Sequence, residues 1–418
     1  MDLTIHNAIL DTTLELVNIG INGDRIEVVQ SDPLPQGLKS IDAKGAMISP
    51  AFIDPHFHLE NALISNHINK SGTLKEAIDI AARIKNKIDV EDIVKRSTSA
   101  LREAIKNGTL WMRSHTDIDQ IARHQLLDGN VAVKNKFKDI VDIQIVAFPQ
   151  LGLTRNPEAV DLMWGAMERG ADVVGGMPHG EKDMDEAAKH IEIAFEIAKG
   201  YDADIDMHVD ETDDPYWHTL ELLAEKTIEE NYQGRVTAGH CCAMAGWSRE
   251  LTDRVIGKVK AAKINIITNT PVNLVVQGRG DEIPFRRGIA KVKALLEAGV
   301  NVSCGQDDLL NMFYPFGQMD MLEVVNFVVH AAQLSSPEEV KAAFDMPRYG
   351  AAKVMRIKDY DIKVGNPANL VLIDAKDALD TIRHQAGRLF VIKNGKVLVE
   401  NQRSTIFHPS VPAQPILT

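Results

Sequence analysis

The stretch MISPAFIDPHFH, residues 47–58, decides the fold. Its first half, Met47 to Ile53, is an apolar, strand-like run. It breaks into Asp54-Pro55-His56-Phe57-His58, where reactive side chains follow one another. In an extended segment the side chains at i and i+2 point the same way, so His56 and His58 face a common space. A buried strand that ends in such a cluster is the signature of a sheet whose strand ends carry chemistry. The question is how often the pattern recurs.

It recurs seven more times. Apolar runs at 109–113, 143–148, 172–175, 204–207, 235–238, 265–269 and 301–304 follow at intervals of about 30 to 35 residues, the repeat of a βα unit. Between them lie helical stretches such as Pro157–Arg169, Met184–Lys199 and Ile289–Ala298. Leu74–Lys87 is another, with Ser71-Gly72-Thr73 at its entrance as a cap. Eight alternating units predict an α/β chain built on a (β/α)8 TIM-type barrel over residues 49–356. The ends have a different texture. Residues 3–5, 15–19 and 25–29 read as short strands, as do 368–373 and a hairpin around Asn394-Gly395. Residues 1–48 and 357–418 are expected to combine into one small β-sandwich domain, since the termini of a domain often lie close together.

Active sites of such barrels sit at the C-terminal strand ends. Behind the second run stand Ser114, His115 and Asp117, behind the third Gln150, and behind the fourth Pro178 and His179. The fifth is followed by His208, Asp210 and Glu211, the sixth by His240, and the eighth by Gln306, Asp307 and Asp308. Each alone is unremarkable: a histidine after a strand often only bonds its loop, and Asp-Asp often caps a helix. Six of 14 histidines at corresponding strand ends are another matter. His56, His58, His208 and Asp307 make a three-nitrogen, one-oxygen set for one divalent ion, with a position left for water, as catalytic sites keep. Such an ion lowers the pKa of its water towards about 7. Glu211, three residues past His208, is placed for general acid/base work without ligating. Asp307 can take the water's proton, and His240 can polarise the attacking group.

Composition narrows the partners. The net charge of −13 argues against a nucleic-acid polymer, which needs clustered Lys and Arg. There is no apolar run of about 18 residues to span a membrane, and the MDLTIHNAILD start lacks a basic and apolar leader. The three cysteines, Cys241, Cys242 and Cys304, form no CxxC pair, so neither a disulfide framework nor a thiolate site is expected. A reducing cytoplasm is the expected location. The zinc deaminases that use HxE with PCxxC are set aside: HxE occurs at His58 and His190, but PCxxC does not.

Taken together, IDPHFHLENAL (53–63), NKSGTL (69–74), GTLWMRSHTDID (108–119), QIVAFPQ (144–150), HVDETDD (208–214), VNLVVQGR (272–279) and YPFG (314–317) resemble the amidohydrolase superfamily, and within it the bacterial cytosine deaminases. The resemblance implies a single Fe or Zn held by His56, His58, His208 and Asp307. Glu211 would pass a proton to the ring nitrogen beside the reacting carbon, and His240 and Asp307 would activate the water. It further implies that Gln150 bonds the amide edge of a pyrimidine, that the Leu74 backbone anchors the ring, and that Asp308 sits near the leaving amine. The expected reaction is deamination of a free cytosine-like base, cytosine or 5-methylcytosine, to uracil or thymine and ammonia, by what the family suggests is a homo-oligomer. Alternatives are deamination or hydrolysis of another small heterocycle, such as creatinine, isocytosine or an aminotriazine, or ring opening of a cyclic amide. Relatives that open rings often bridge two metals with a modified lysine, and no lysine stands at a strand end here. The chain departs from the family twice. Gln306 stands where His is usual, and Phe313 stands where Trp is usual. The smaller Phe313 is expected to leave room for a substituent at C5 of the ring.

Overall fold

The computed structural model describes residues 1–402, 404–406 and 408. The remainder of the expected 357–418 stretch, residues 403, 407 and 409–418, lies outside the described residues. Among the described residues, sixteen strands divide between two sheets. The terminal sheet holds β1 (Leu3–Leu10), β2 (Leu16–Asn22), β3 (Arg25–Gln30), β4 (Lys39–Asp42) and β5 (Met47–Pro50). The barrel then runs through β6 (Phe52–Phe57), β7 (Thr109–Asp117), β8 (Asp142–Phe148), β9 (Val173–Val174), β10 (Asp204–Val209), β11 (Val236–His240), β12 (Asn265–Thr268) and β13 (Val302–Cys304). The chain returns to the terminal sheet with β14 (Leu370–Ile373), β15 (Arg388–Lys393) and β16 (Lys396–Glu400).

The run 47–53 is therefore not one strand. β5 pairs antiparallel with β14 in the terminal sheet, and β6 pairs parallel with β7 in the barrel. All of Met47–Phe57 is buried, so its hydrophobicity alone carries no sign of the handover between sheets. The terminal sheet runs β16-β15-β14-β5-β1-β2-β3, with β4 pairing β1 off that path. Both chain ends thus share one apolar cluster, which includes Ile5, Ile19, Ile48, Leu370 and Ile392.

The eight barrel strands pair in sequence order, every pair parallel. Their flanking helices begin with the devices the sequence offers. Asn156 accepts from Glu158 N ahead of a proline at the first turn, and Asp183 accepts from Glu186 N. Closure between first and last strands is local: Asp307 N–H donates to His56 O at 2.8 Å, and His58 N–H donates to Asp307 O at 3.0 Å. That reciprocal pair of backbone bonds completes the barrel and brings two histidines beside a carboxylate.

Candidate metal centre and active site

β6 delivers His56, and His58 follows directly after it, both buried. β10 delivers His208, and Asp307 follows β13 through Gly305 and Gln306. Gly305 is required by close approach: a Cβ there would lie 2.7 Å from His56 Cβ and 2.9 Å from His56 O. Asp307 itself has φ +70°, and His240 φ +68°. Left-handed backbone at non-glycine residues is unfavourable and persists where the surroundings impose it, here at two residues whose side chains meet in the site.

The distances fit a single small cation. His56 Nε2 and His58 Nε2 each lie 3.4 Å from Asp307 Oδ1, and His58 Nε2 lies 3.2 Å from His208 Nε2. Ligands bound at 2.0–2.1 Å in a tetrahedron are separated by about 3.3 Å, so these spacings are those of atoms sharing one ion. The donor atoms of the four residues all lie within 4.8 Å of one another. Both ring nitrogens of His56 and Nδ1 of His208 are buried without a hydrogen-bond partner among the described residues, a state that a ligated ion would relieve at the nitrogens facing it. Electrostatics agrees. Burial and the neighbouring imidazoles hold His208 well below its ordinary pKa, in the neutral form that ligates. Burial works against charge on His58, yet Asp307 and Glu60 outweigh it and raise its pKa well above the usual value. The carboxylates thus call for positive charge at this point.

A second group stands beside the first. His240 Nδ1 is 3.2 Å from Glu211 Oε1 and 4.0 Å from Asp307 Oδ2. Burial, aided by nearby imidazoles, lowers His240 to about 3, so it is neutral. For Glu211, burial and the charges of Asp307 and Asp308 push the carboxyl well above its ordinary range. For Asp307, burial is outweighed by His240, His56 and His58, which hold it far below. Asp308 is pushed up to about 7 by burial and by Asp307. Two carboxyls with pKa values driven apart are what acid and base roles need.

Both groups open on one cavity. Gln150 reaches it two residues beyond β8. Leu74 reaches it as the first residue of the helix Leu74–Ile84, whose first-turn N–H groups lack intrahelical acceptors. Asp308 and Phe313 line it too, and Phe313 packs on Ala77 and Ile80 of that helix. The cavity thus gathers Gln150, Leu74, Asp308, Phe313, Glu211, His240 and Asp307. His115 and His179, also expected at the mouth, are buried beside the cluster rather than on the cavity wall. His115 stacks on His56 with ring centroids 4.0 Å apart, its Nε2 3.7 Å from Asp206 Oδ1.

Sequence reasoning missed two residues that hold His240. Asn269 Nδ2 stands 3.1 Å from its Nε2, and Asn273 Nδ2 stands 3.0 Å from its Nδ1. The signal existed: Asn269 ends the seventh candidate strand, and Asn273 lies four residues on, one turn along the helix Thr270–Val276.

An eight-stranded parallel barrel with this cluster at its C-terminal strand ends defines a class of metal-assisted hydrolases. The amidohydrolase family profile matches residues 39–399, and the chain belongs to that family; with its deaminase and amidohydrolase relatives, this makes it a hydrolase acting on C–N bonds. Its relatives make the placement more particular. A solved structure of 5-methylcytosine deaminase from Klebsiella pneumoniae, liganded with 5-fluorocytosine, superposes with a TM-score of 0.94 at 32% identity, covering 98% of this chain and 100% of that one. N-isopropylammelide isopropyl amidohydrolase of Pseudomonas sp. (strain ADP) is 30% identical over 411 residues, 96% of this chain and 98% of its own. Pterin deaminase of Rhizobium rhizogenes is 29% identical over 380 residues, 89% and 85% of the two chains.

Proposed function

We propose that this protein is a hydrolytic deaminase of a free cytosine-like base, with 5-methylcytosine a better substrate than cytosine. The observation that carries the reading is the Glu211–His240–Asp307 group, set against the His56–His58–His208–Asp307 cluster in a cavity walled by Gln150 and Phe313. The full-length likeness to 5-methylcytosine deaminase supports the choice of base.

One divalent ion, Zn or Fe, on His56, His58, His208 and Asp307 would supply a Lewis acid that makes water nucleophilic at neutral pH. The protein's own groups do the rest. Asp307, ionised, accepts a proton from the attacking water through the oxygen turned towards His240. His240, neutral and flanked by Asn269 and Asn273, steers that water towards the amino-bearing carbon. Glu211 begins protonated and gives its proton to the ring nitrogen beside that carbon, so negative charge does not build up on the ring. Asp308 stands near the leaving amine. Gln150 offers both a donor and an acceptor to the amide edge of the base, and the Leu74 N–H takes a ring acceptor. Once water has added, the proton held by Asp307 passes to the amino group, the C–N bond breaks to release ammonia, and the new hydroxyl returns its proton to Glu211, leaving a carbonyl.

A second reading is favoured by the likeness to N-isopropylammelide isopropyl amidohydrolase: loss of an alkylated amine from a triazine ring. The same groups would serve, with a larger leaving group. The test is an ammonia- and amine-release screen across cytosine, 5-methylcytosine, isocytosine, creatinine, pterin and N-alkylaminotriazines. Glu211→Gln should lower kcat on the best substrate by about a hundredfold to ten-thousandfold while leaving bound metal unchanged. Retention of most activity by that variant, or turnover of the triazine alone, contradicts the cytosine reading.

A further inference from the structure

One carboxylate on the cavity wall has no part in the scheme above. Asp117 ends β7, is buried, and lines the cavity together with Leu74, Ile78 and Gln150. Its two oxygens differ. Oδ2 takes the ammonium of Lys85, a lysine only 2% exposed that also pairs with Asp119. Oδ1 is buried and has no hydrogen-bond partner among the described residues. A buried carboxylate oxygen without a donor is costly, and one on the wall of a binding cavity is an acceptor available to whatever enters. Register places it well: Asp117 pairs with Phe148 across the β7–β8 ladder, and Gln150 follows two residues later. The acceptor thus stands at the strand end next to the amide of Gln150. Lys85 comes directly after the helix that starts with Leu74 and carries Ile78, so the same ion pair pins that helix against β7.

We infer that Asp117 is a substrate-binding residue whose Oδ1 accepts a hydrogen bond from an N–H on the edge of the bound heterocycle, with Lys85 as the positioning residue that fixes the carboxylate and the helical wall together. The inference rests on the reading of the cavity as a site for a planar nitrogen heterocycle. It selects bases that present a donor beside the edge read by Gln150. Burial pushes the Asp117 carboxyl up to about 7 against the pull of Lys85, so its acceptor strength depends on that lysine staying in place.

The test compares Asp117→Asn with Asp119→Asn on the same base panel, with Tm measured alongside. Both lose a partner of Lys85, but only the first changes the cavity wall. Asp117→Asn is expected to raise KM for the best base by about tenfold to a hundredfold, with kcat changed far less, and to reorder the bases by kcat/KM. Asp119→Asn is expected to lower Tm without reordering them. An unchanged KM in Asp117→Asn, or the same KM rise in both variants, overturns the inference. So does failure of both Asp117→Asn and Asp117→Ser to fold, which makes the pair purely structural. A wild-type enzyme that is silent on every base sinks the heterocycle reading, and this inference with it. Active wild type with an indifferent Asp117→Asn sinks this inference alone.

Discussion

Under the proposed function, Phe313 is the residue whose identity is expected to bear most on substrate choice. It lies on the cavity wall, backed by Ala77, Ile80 and Met312, and its own N–H is held by Asn311 Oδ1 at 2.9 Å. The backbone there is pinned, so a larger ring must grow into the cavity rather than swing away. Phe313→Trp is therefore expected to shift the ratio of kcat/KM values from 5-methylcytosine towards cytosine by about tenfold to a hundredfold, the scale on which a pocket counts a methyl group. Competition kinetics with both bases measures it directly, and an unaltered ratio would show that Phe313 does not face C5. Gln306, the other departure from the family pattern, has its N–H on Asp54 Oδ1 at 3.1 Å and its side chain on Asp308 O at 3.2 Å. It braces the loop that carries Asp307 and Asp308 rather than facing the metal cluster. The three cysteines are buried and unpaired, and burial pushes their thiols well above the ordinary range, so they are inert packing.

Among the elements, the loop after β8 and the turn after β9 are held together by one buried carboxylate. Glu181 accepts from Leu153 N, Thr154 Oγ1 and His190 Nδ1, each at 2.7 Å. His190 in turn accepts from Met177 N at 3.1 Å, which leaves its Nδ1 as the donor to Glu181. Met177 lines the cavity, so this chain of bonds sets part of the site wall. Burial alone would raise Glu181, but His190 and Thr154 outweigh it and hold the carboxyl down to about 2. A carboxyl lowered on folding stabilises the fold fully above its unfolded pKa of about 4.5, and that stabilisation fades as pH falls from there towards 2. Glu181→Gln should therefore cost on the order of 2 kcal/mol at pH 7 and progressively less towards pH 2. Thermal unfolding from pH 7 to pH 3 would show the two Tm curves converging in acid. Parallel curves would mean that the ionised carboxylate is not what holds the loops.

At the scale of the whole molecule, the proposed metal cluster would be a closure device as well as a catalytic one. His56, His58 and Asp307 lie where the first and last barrel strands meet, joined by only a short ladder. An ion bound there adds a link between the ends of the barrel, and anything that binds the folded state alone stabilises it. Removal of metal with a chelator is expected to abolish turnover and lower Tm by several degrees, with both restored by Zn or Fe. A Tm indifferent to chelation in protein shown to be metal-free would contradict this. The terminal sheet is fastened to the barrel by buried Arg348, which donates to Ser49 Oγ at 2.8 Å and pairs with Asp11. No helix among the described residues is long and apolar enough to cross a membrane.

The alternation of apolar runs and amphipathic stretches was enough to specify a parallel barrel, because buried strands and one-sided helices leave different periods in a chain. HxH, His208, His240 and the Asp307-Asp308 pair were legible for a related reason: the fold puts strand ends at one mouth, so position along the chain stands in for position in space. Other features belong to contacts between residues distant in sequence. The handover from β5 to β6 inside an unbroken apolar run depends on which partner strand each half meets. Asn269 and Asn273 matter only because His240 comes to lie beside them. Asp117 and Lys85, 32 residues apart, carry no shared signal until the helix from Leu74 folds back onto β7. Local sequence sets what each residue can do, through its side chain and its period. Only tertiary packing decides which of those capacities face the same few cubic ångströms, because that depends on burial and desolvation created by the whole fold.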